Sequence, residues 1–226
     1  MELQQLEKNL NYKFSDKRLL THALTHKSYT KHQFSNERLE FLGDAVLQLA
    51  ISTYLFNNYS DLNEGTMAKL RASLVCKQTL YGLSLKVGIN KYILMSKNEI
   101  SNGGRHKPSI LSDAFEAVLA AIYLDSDYDT CCEIILDIYG NLFEEHLNGK
   151  GYTDYKTQLQ EELQKGSDLK MSYEVINQEG KPHDITFEIA VEYDNKIIGR
   201  GSGKSKKEAE QNAARYALEN IYKLGK

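Results

Sequence analysis

The chain has 226 residues, 41% of them hydrophobic and 26% charged, with a net charge of −3. That length exceeds one typical domain and accommodates two, and no run of roughly 18 consecutive apolar residues suggests a membrane span. The polar N-terminus MELQQLEKNLNYKF lacks the apolar core of a signal peptide, and Cys76, Cys131 and Cys132 form neither a disulfide framework nor a zinc spacing. Free thiols in a reducing cytoplasm are therefore expected. From the start, Leu3, Leu6 and Leu10 repeat at helical spacing, and Ser15 is placed to cap a second helix carrying Leu19, Leu20, Ala23 and Leu24. Residues 36–59 are apolar on most of a helix circumference (Leu39, Phe41, Leu42, Val46, Leu49, Tyr54, Leu55), the pattern of a central helix covered by others. Pro108 suits the first turn of another long helix through Phe115, Val118 and Ile122. One further helix is expected from about Asp129 to His146.

The texture then changes. Residues 148–153 carry two glycines and a lysine and serve as the linker between domains at 1–147 and 154–226. Residues 154–164 read as helix. A first strand is expected around 171–177. Next, Ile185, Phe187, Ile189, Val191 and Tyr193 alternate with polar neighbours, a strand with one buried face. Asp194-Asn195 marks a turn into a glycine-loosened strand, IIGRGSG, and SKKEAEQNAARYALENIYKL closes as a helix with Ser205 and Glu208 in a capping box. The fold class is an all-α domain followed by a small α+β domain of order α-β-β-β-α.

Two short segments concentrate acid on apolar helices. NERLEFLGDA (36–45) brings Glu37, Glu40 and Asp44 to one stripe, and SDAFEA (112–117) brings Asp113 and Glu116 to one face. Acids at such spacing usually form a solvated face, where each like-charge pair costs about 0.2–0.5 kcal/mol. Here they interrupt apolar helices, where unpaired burial would cost far more. A divalent cation resolves that conflict, and Mg²⁺ prefers hard carboxylate oxygens. Gly43 also sits mid-helix, a penalty of about 1 kcal/mol relative to alanine, which a helix tolerates where a neighbour must come close.

NERLEFLGDAVL resembles the signature stretch of the ribonuclease III family, and GRHKPSILSDAFEAVLAAIYLD (104–125) resembles its second catalytic segment. That resemblance implies metal ligation by Glu40, Asp113 and Glu116, with Asp44 and Glu116 in catalysis. Glu37 and Glu64 match further acidic positions at the family's cleavage site. It implies Mg²⁺ as cofactor, with Mn²⁺ able to substitute. The implied reaction is hydrolysis of both strands of double-stranded RNA, leaving 5′-phosphate and 3′-hydroxyl ends. A second ion roughly 3.5–4 Å away would stabilise the departing 3′-oxygen. A homodimer through the nuclease domain supplies two active sites. Implied substrates are ribosomal RNA precursors and other structured transcripts.

Lys204, Lys206 and Lys207 cluster where the last strand meets a capped helix start, a ready anion site. This segment resembles the third contact region of a double-stranded RNA-binding domain, which reads A-form shape over about 16 base pairs. By the same resemblance Gln158 and Glu162 meet ribose hydroxyls and His183 enters the minor groove. Bulk charge lends no support, because residues 153–226 hold 12 Lys+Arg against 13 Asp+Glu, leaving 16 against 18 upstream. Attraction to RNA must come from locally clustered charge and from metal ions.

His22 and His26 have a metal-compatible spacing without a third ligand, which favours a structural role. Arg105 and Lys107 either touch the scissile backbone or belong to the loop that starts the second acidic helix. Two competing readings remain. A non-catalytic RNA-binding protein would be expected to lack at least one matched acid, and none is missing. A DNA-processing enzyme would need its C-terminal domain to tolerate B-form geometry.

Overall fold

The computed structural model describes residues 3–29, 34–148, 155–164, 170–181 and 184–224, and the chain divides into two compact units, 1–152 and 153–226. The linker expected at 148–153 lies outside the described residues apart from Asn148.

The first unit is helical. It runs α1 (Gln4–Asn9), α2 (Lys17–Ala23), α3 (Glu37–Asn58), α4 (Glu64–Leu74), α5 (Lys77–Val87), α6 (Lys97–Ser101), α7 (Pro108–Asp125), α8 (Tyr128–Tyr139) and α9 (Leu142–Leu147). Polar side chains start several of these helices, taking up backbone N–H groups that have no partner within the helix. Asn63 accepts from Thr66 N at 2.9 Å, and Asp127 accepts from Thr130 N at 2.8 Å. At α2 the cap is Asp16, which accepts from Arg18 N at 2.9 Å, rather than Ser15. The Ser15 N–H is instead held by the Asp125 carboxylate, which also takes the Asp16 N–H and the Tyr12 hydroxyl. The helix expected to run on to His146 is two helices, because Gly140 turns the chain at φ 53° between α8 and α9.

Coverage of the two long helices differs from expectation. Helix α7 is the central one, with Leu111, Ala114, Phe115 and every residue from Ala117 to Ile122 fully buried. Helices α2, α3 and α5 all pack against it. Helix α3 packs against α7 along one side only and leaves Phe41, Leu49 and Phe56 82%, 55% and 72% exposed. Among the described residues α3 alone is long and apolar enough to cross a membrane. Its inner side belongs to the same core as α7, and it carries three acids in its first two turns.

The second unit runs α10 (Tyr155–Gln164), β1 (Met171–Lys181), β2 (Asp184–Tyr193), β3 (Lys196–Gly203) and α11 (Lys206–Leu224), with an antiparallel sheet in the order β1-β2-β3. Asp194 and Asn195 both take positive φ, 51° and 58°, as a tight two-residue hairpin turn requires. The β3 glycines set the packing of α11. A Cβ on Gly201 would stand 2.1 Å from Ala213 N, so the backbones of β3 and α11 meet directly, with Ala209, Ala213 and Ala217 buried along the helix. Alternation along β2 holds for Ile189 and Val191 in the helix-facing core. Ala190 is buried as well, lying between Glu174 of β1 and Arg200 of β3 on the opposite face.

Candidate metal centre and RNA-binding surface

Gly43 lies one residue before Asp44 and three after Glu40. A Cβ there would stand 1.8 Å from the backbone carbonyl oxygen of Glu116, so only glycine permits α3 to touch α7 at this point. The contact places the acids of α3 beside those of α7, although some 70 residues separate the two segments. One carboxylate oxygen from each of Glu40, Asp113 and Glu116 lies within 4.8 Å of the other two, and all three residues are half-buried. Among the described residues no Lys, Arg or His forms an ion pair with any of them.

Three carboxylates crowded without a counter-ion resist ionisation. Burial, followed by the charges of Asp44, Asp113 and Glu40, pushes the Glu116 carboxyl up to about 8. Burial and the neighbouring Asp113 and Glu37 likewise raise Glu40. An apolar interior would not keep such a set without compensation. Hard oxygen donors from two rigid helices, each lacking a cationic partner, fit a divalent cation. Asp44 stands outside the trio. It is exposed one turn beyond Glu40, its Oδ1 accepts from Gln48 Nε2 at 3.4 Å, and its charge is still felt at Glu116.

On the second unit, Lys204, Lys206 and Lys207 are exposed at the junction of β3 and α11. Ser205 Oγ accepts from Glu208 N at 3.2 Å, while Glu208 Oε2 accepts from Lys204 N at 2.7 Å, one residue earlier than in a regular capping box. Lys206 Nζ lies 6.0 Å from the centre of the Phe187 ring. Gln158 is exposed on α10 and Glu162 is half-buried there. Helix α10 is tied to α11 by Lys156 and Glu210 at 2.6 Å and by Tyr155 N donating to Gln211 Oε1 at 2.8 Å. His183 lies outside the described residues.

Comparison with known proteins agrees with both halves. A family profile described as Ribonuclease-III-like matches residues 16–142, and the double-stranded RNA binding motif matches residues 155–221. Ribonuclease 3 of Clostridium tetani is 45% identical over 224 residues, covering 98% of this chain and 95% of that protein. The chain belongs to the ribonuclease III family. Ribonuclease 3 of a Sulfurovum species is 47% identical over 219 residues, with 97% and 98% covered. A 2.2 Å crystal structure of the ribonuclease III nuclease domain from Campylobacter jejuni superposes with a TM-score of 0.59 at 47% identity, covering 62% of this chain and 95% of that one. A second structure of that domain is described as showing flexibility in a region involved in dimer formation.

Within this ribonuclease III framework the remaining candidates separate. Glu37 is engaged elsewhere, accepting from Lys27 Nζ at 3.1 Å and from Ser35 Oγ at 3.0 Å. Glu64, the first residue of α4, lines a cavity of about 390 Å³ with Ser52, Phe56, Met67 and Arg71, against the second half of α3. His22 Nε2 meets Ser35 O at 3.0 Å and His26 Nδ1 meets Ser28 Oγ at 2.8 Å, so the two rings have separate structural partners. Arg105 donates to Asn90 O at 2.7 Å and Lys107 pairs with Glu99, so both have partners in the segment that leads into α7. Sequence reasoning missed the Lys27–Glu37 pair. Ten residues across a loop carry no periodic signal that would reveal it.

Proposed function

We propose that this chain is an endoribonuclease that hydrolyses phosphodiester bonds of double-stranded RNA. The observation that carries this reading is the meeting of α3 and α7 at Gly43 and Glu116, which crowds three carboxylates without a counter-ion. Glu40, Asp113 and Glu116 would hold Mg²⁺, with Mn²⁺ as a substitute. When bound, the ion supplies positive charge at the phosphate and makes hydroxide available from water near neutral pH. Asp44, exposed beside the trio, orients the attacking water and accepts its hydrogen bond. Glu116 must lose the proton that burial favours, so its carboxylate form is tied to ion binding. Glu37 and Glu64 act as supporting acids. The products carry 5′-phosphate and 3′-hydroxyl ends, and the substrates are ribosomal RNA precursors and other structured transcripts in the cytoplasm.

The nuclease domain spans 1–147 and the RNA-binding domain 154–226, joined by 148–153. In the latter, Lys204, Lys206 and Lys207 meet phosphates across an A-form groove, and Gln158, Glu162 and His183 meet ribose or groove edges. A homodimer through the nuclease domain is supported by the stripe of Phe41, Leu49 and Phe56. These residues fall on one side of α3 and leave three large apolar side chains mostly exposed along it. A two-fold pair would bury that stripe and present one acidic site to each strand.

The test is cleavage of labelled duplex RNA with and without Mg²⁺ by the wild type and Glu116→Gln. The substitution should abolish cleavage and leave duplex affinity within about twofold, because it removes ligand charge from the nuclease domain and leaves the lysines of the RNA-binding domain unchanged. Cleavage by Glu116→Gln at saturating Mg²⁺ would overturn the assignment.

A further inference from the structure

Two lysines stand beside the acidic trio and have no part in the scheme above. Lys27, in the loop between α2 and α3, has a side chain 54% exposed and donates to Glu37 Oε1 at 3.1 Å. Its ammonium is held charged by that bond first and then by the nearby carboxylates of Glu40 and Asp113. Lys77 is the exposed first residue of α5, a helix packed directly on α7, which carries Asp113 and Glu116; its charge also acts on the Glu116 carboxyl, against the effect of burial. A helix start carries partial positive charge and disfavours a cation, yet among the described residues Lys77 has no ion pair to offset this. Lys27, through its pair with Glu37, thus stands on the Glu40 side of the trio, and Lys77 on the Glu116 side.

We propose that Lys27 and Lys77 are substrate-contacting residues that hold the backbone phosphates flanking the one being cut. This rests on the duplex-cleavage reading above and adds to it the means by which a polyanion approaches a cluster of acids. A net charge of −3 gives the chain no general attraction for RNA, so repulsion between the scissile strand and the five acids of the two segments must be met locally. The donor count allows it. An ammonium carries three N–H donors, and Glu37 takes one of those on Lys27, leaving two for phosphate oxygens without breaking the pair. The Glu37 carboxylate, itself fixed by Ser35 Oγ, then acts as the tether that keeps Lys27 at the edge of the site. Lys77 has all three donors free of side-chain carboxylates and sits on a rigid helix start whose backbone N–H groups favour the same anion.

The experiment uses the full-length protein and a labelled RNA duplex at saturating Mg²⁺, with cleavage measured over a range of monovalent salt. Lys27→Met and Lys77→Met are each expected to raise KM about tenfold, with kcat changed less than about threefold, as loss of one phosphate contact implies. Each should also reduce the slope of log(kcat/KM) against log[salt] by about 0.7–0.9. Lys27→Arg and Lys77→Arg should restore KM and slope, because arginine keeps the charge and the donors. If the wild type cleaves duplex RNA and both methionine variants keep its KM and salt slope, the two lysines merely balance local charge and the proposal fails. A wild type that does not cleave at all sinks the nuclease reading, a distinct outcome.

Discussion

The acidic centre of the helical unit and the lysine cluster of the α+β unit handle charge in opposite ways. The acids sit on two core helices, where burial and mutual repulsion raise Glu116 and Glu40, and among the described residues no Lys or Arg forms an ion pair with the trio. The lysines are exposed at a helix start capped by Ser205, the end of a helix that favours negative charge. Both sites depend on a glycine where two backbones touch, Gly43 against Glu116 and Gly201 against Ala213. The difference is in what that contact does. At Gly43 it brings like charges together, so the site holds repulsion that a bound divalent cation would relieve. At Gly201 it fixes the helix whose start carries the lysines, and the lysines themselves remain exposed. A buried site of this kind gains selectivity for a small hard ion, whereas an exposed one gains a salt-sensitive grip on a long polyanion.

The sharpest way to break this contrast is Gly43→Val. Its side chain would enter the space of the Glu116 carbonyl, so α3 and α7 must separate. Cleavage should fall more than about a hundredfold and stability by about 2–4 kcal/mol. Activity assays beside thermal denaturation would measure both, and a fully active Gly43→Val protein would show that the close approach is dispensable.

Stored repulsion should also be visible without any substrate. Glu116 has an ordinary value near 4.5 and is held near 8 in the fold, so the folded chain binds an extra proton between those limits. Folding stability of the metal-free protein is then highest below about 4.5 as far as this group is concerned. It declines as pH rises to about 8, by on the order of 2 kcal/mol once the water reaching the site is allowed for. Urea unfolding in chelator from pH 5 to 8 should show this decline in the wild type and a flatter profile in Glu116→Gln. Added Mg²⁺ should offset the loss most at the alkaline end, where the carboxylates are already ionised. Identical profiles for the two proteins would remove stored repulsion from the account.

The smallest effect is expected at the exposed end. Lys206→Ala with Lys207→Ala should weaken duplex binding by about tenfold at moderate salt and reduce the slope of log K against log[salt] by about 1.5–2, with little change in stability. Filter binding over a salt series would measure it. An unchanged slope would mean that phosphates are met elsewhere on the domain.

Much of this was legible in the chain itself. Periodicity marked α3, α7 and α11, alternation marked β2, Asp194-Asn195 marked the hairpin, and a glycine amid acids on an apolar helix marked a close approach before any partner was known. These features were readable because they are local: a period of 3.6 or 2 reports which side of an element is apolar, and a turn residue reports its own φ. The alternation of β2 could not show that Ala190 is buried too, since that depends on Glu174 and Arg200 from the neighbouring strands. Nor could one helix reveal that α7 is the covered one while α3 keeps Phe41 and Phe56 in the open. Tertiary structure alone decided which acids meet. Glu40 joins Asp113 and Glu116 across the Gly43 contact, while Glu37 turns to Lys27 and Glu64 faces another cavity. Spacing along a helix fixes the direction of a side chain relative to its own axis, but the distance between two helices is set by how their surfaces interlock.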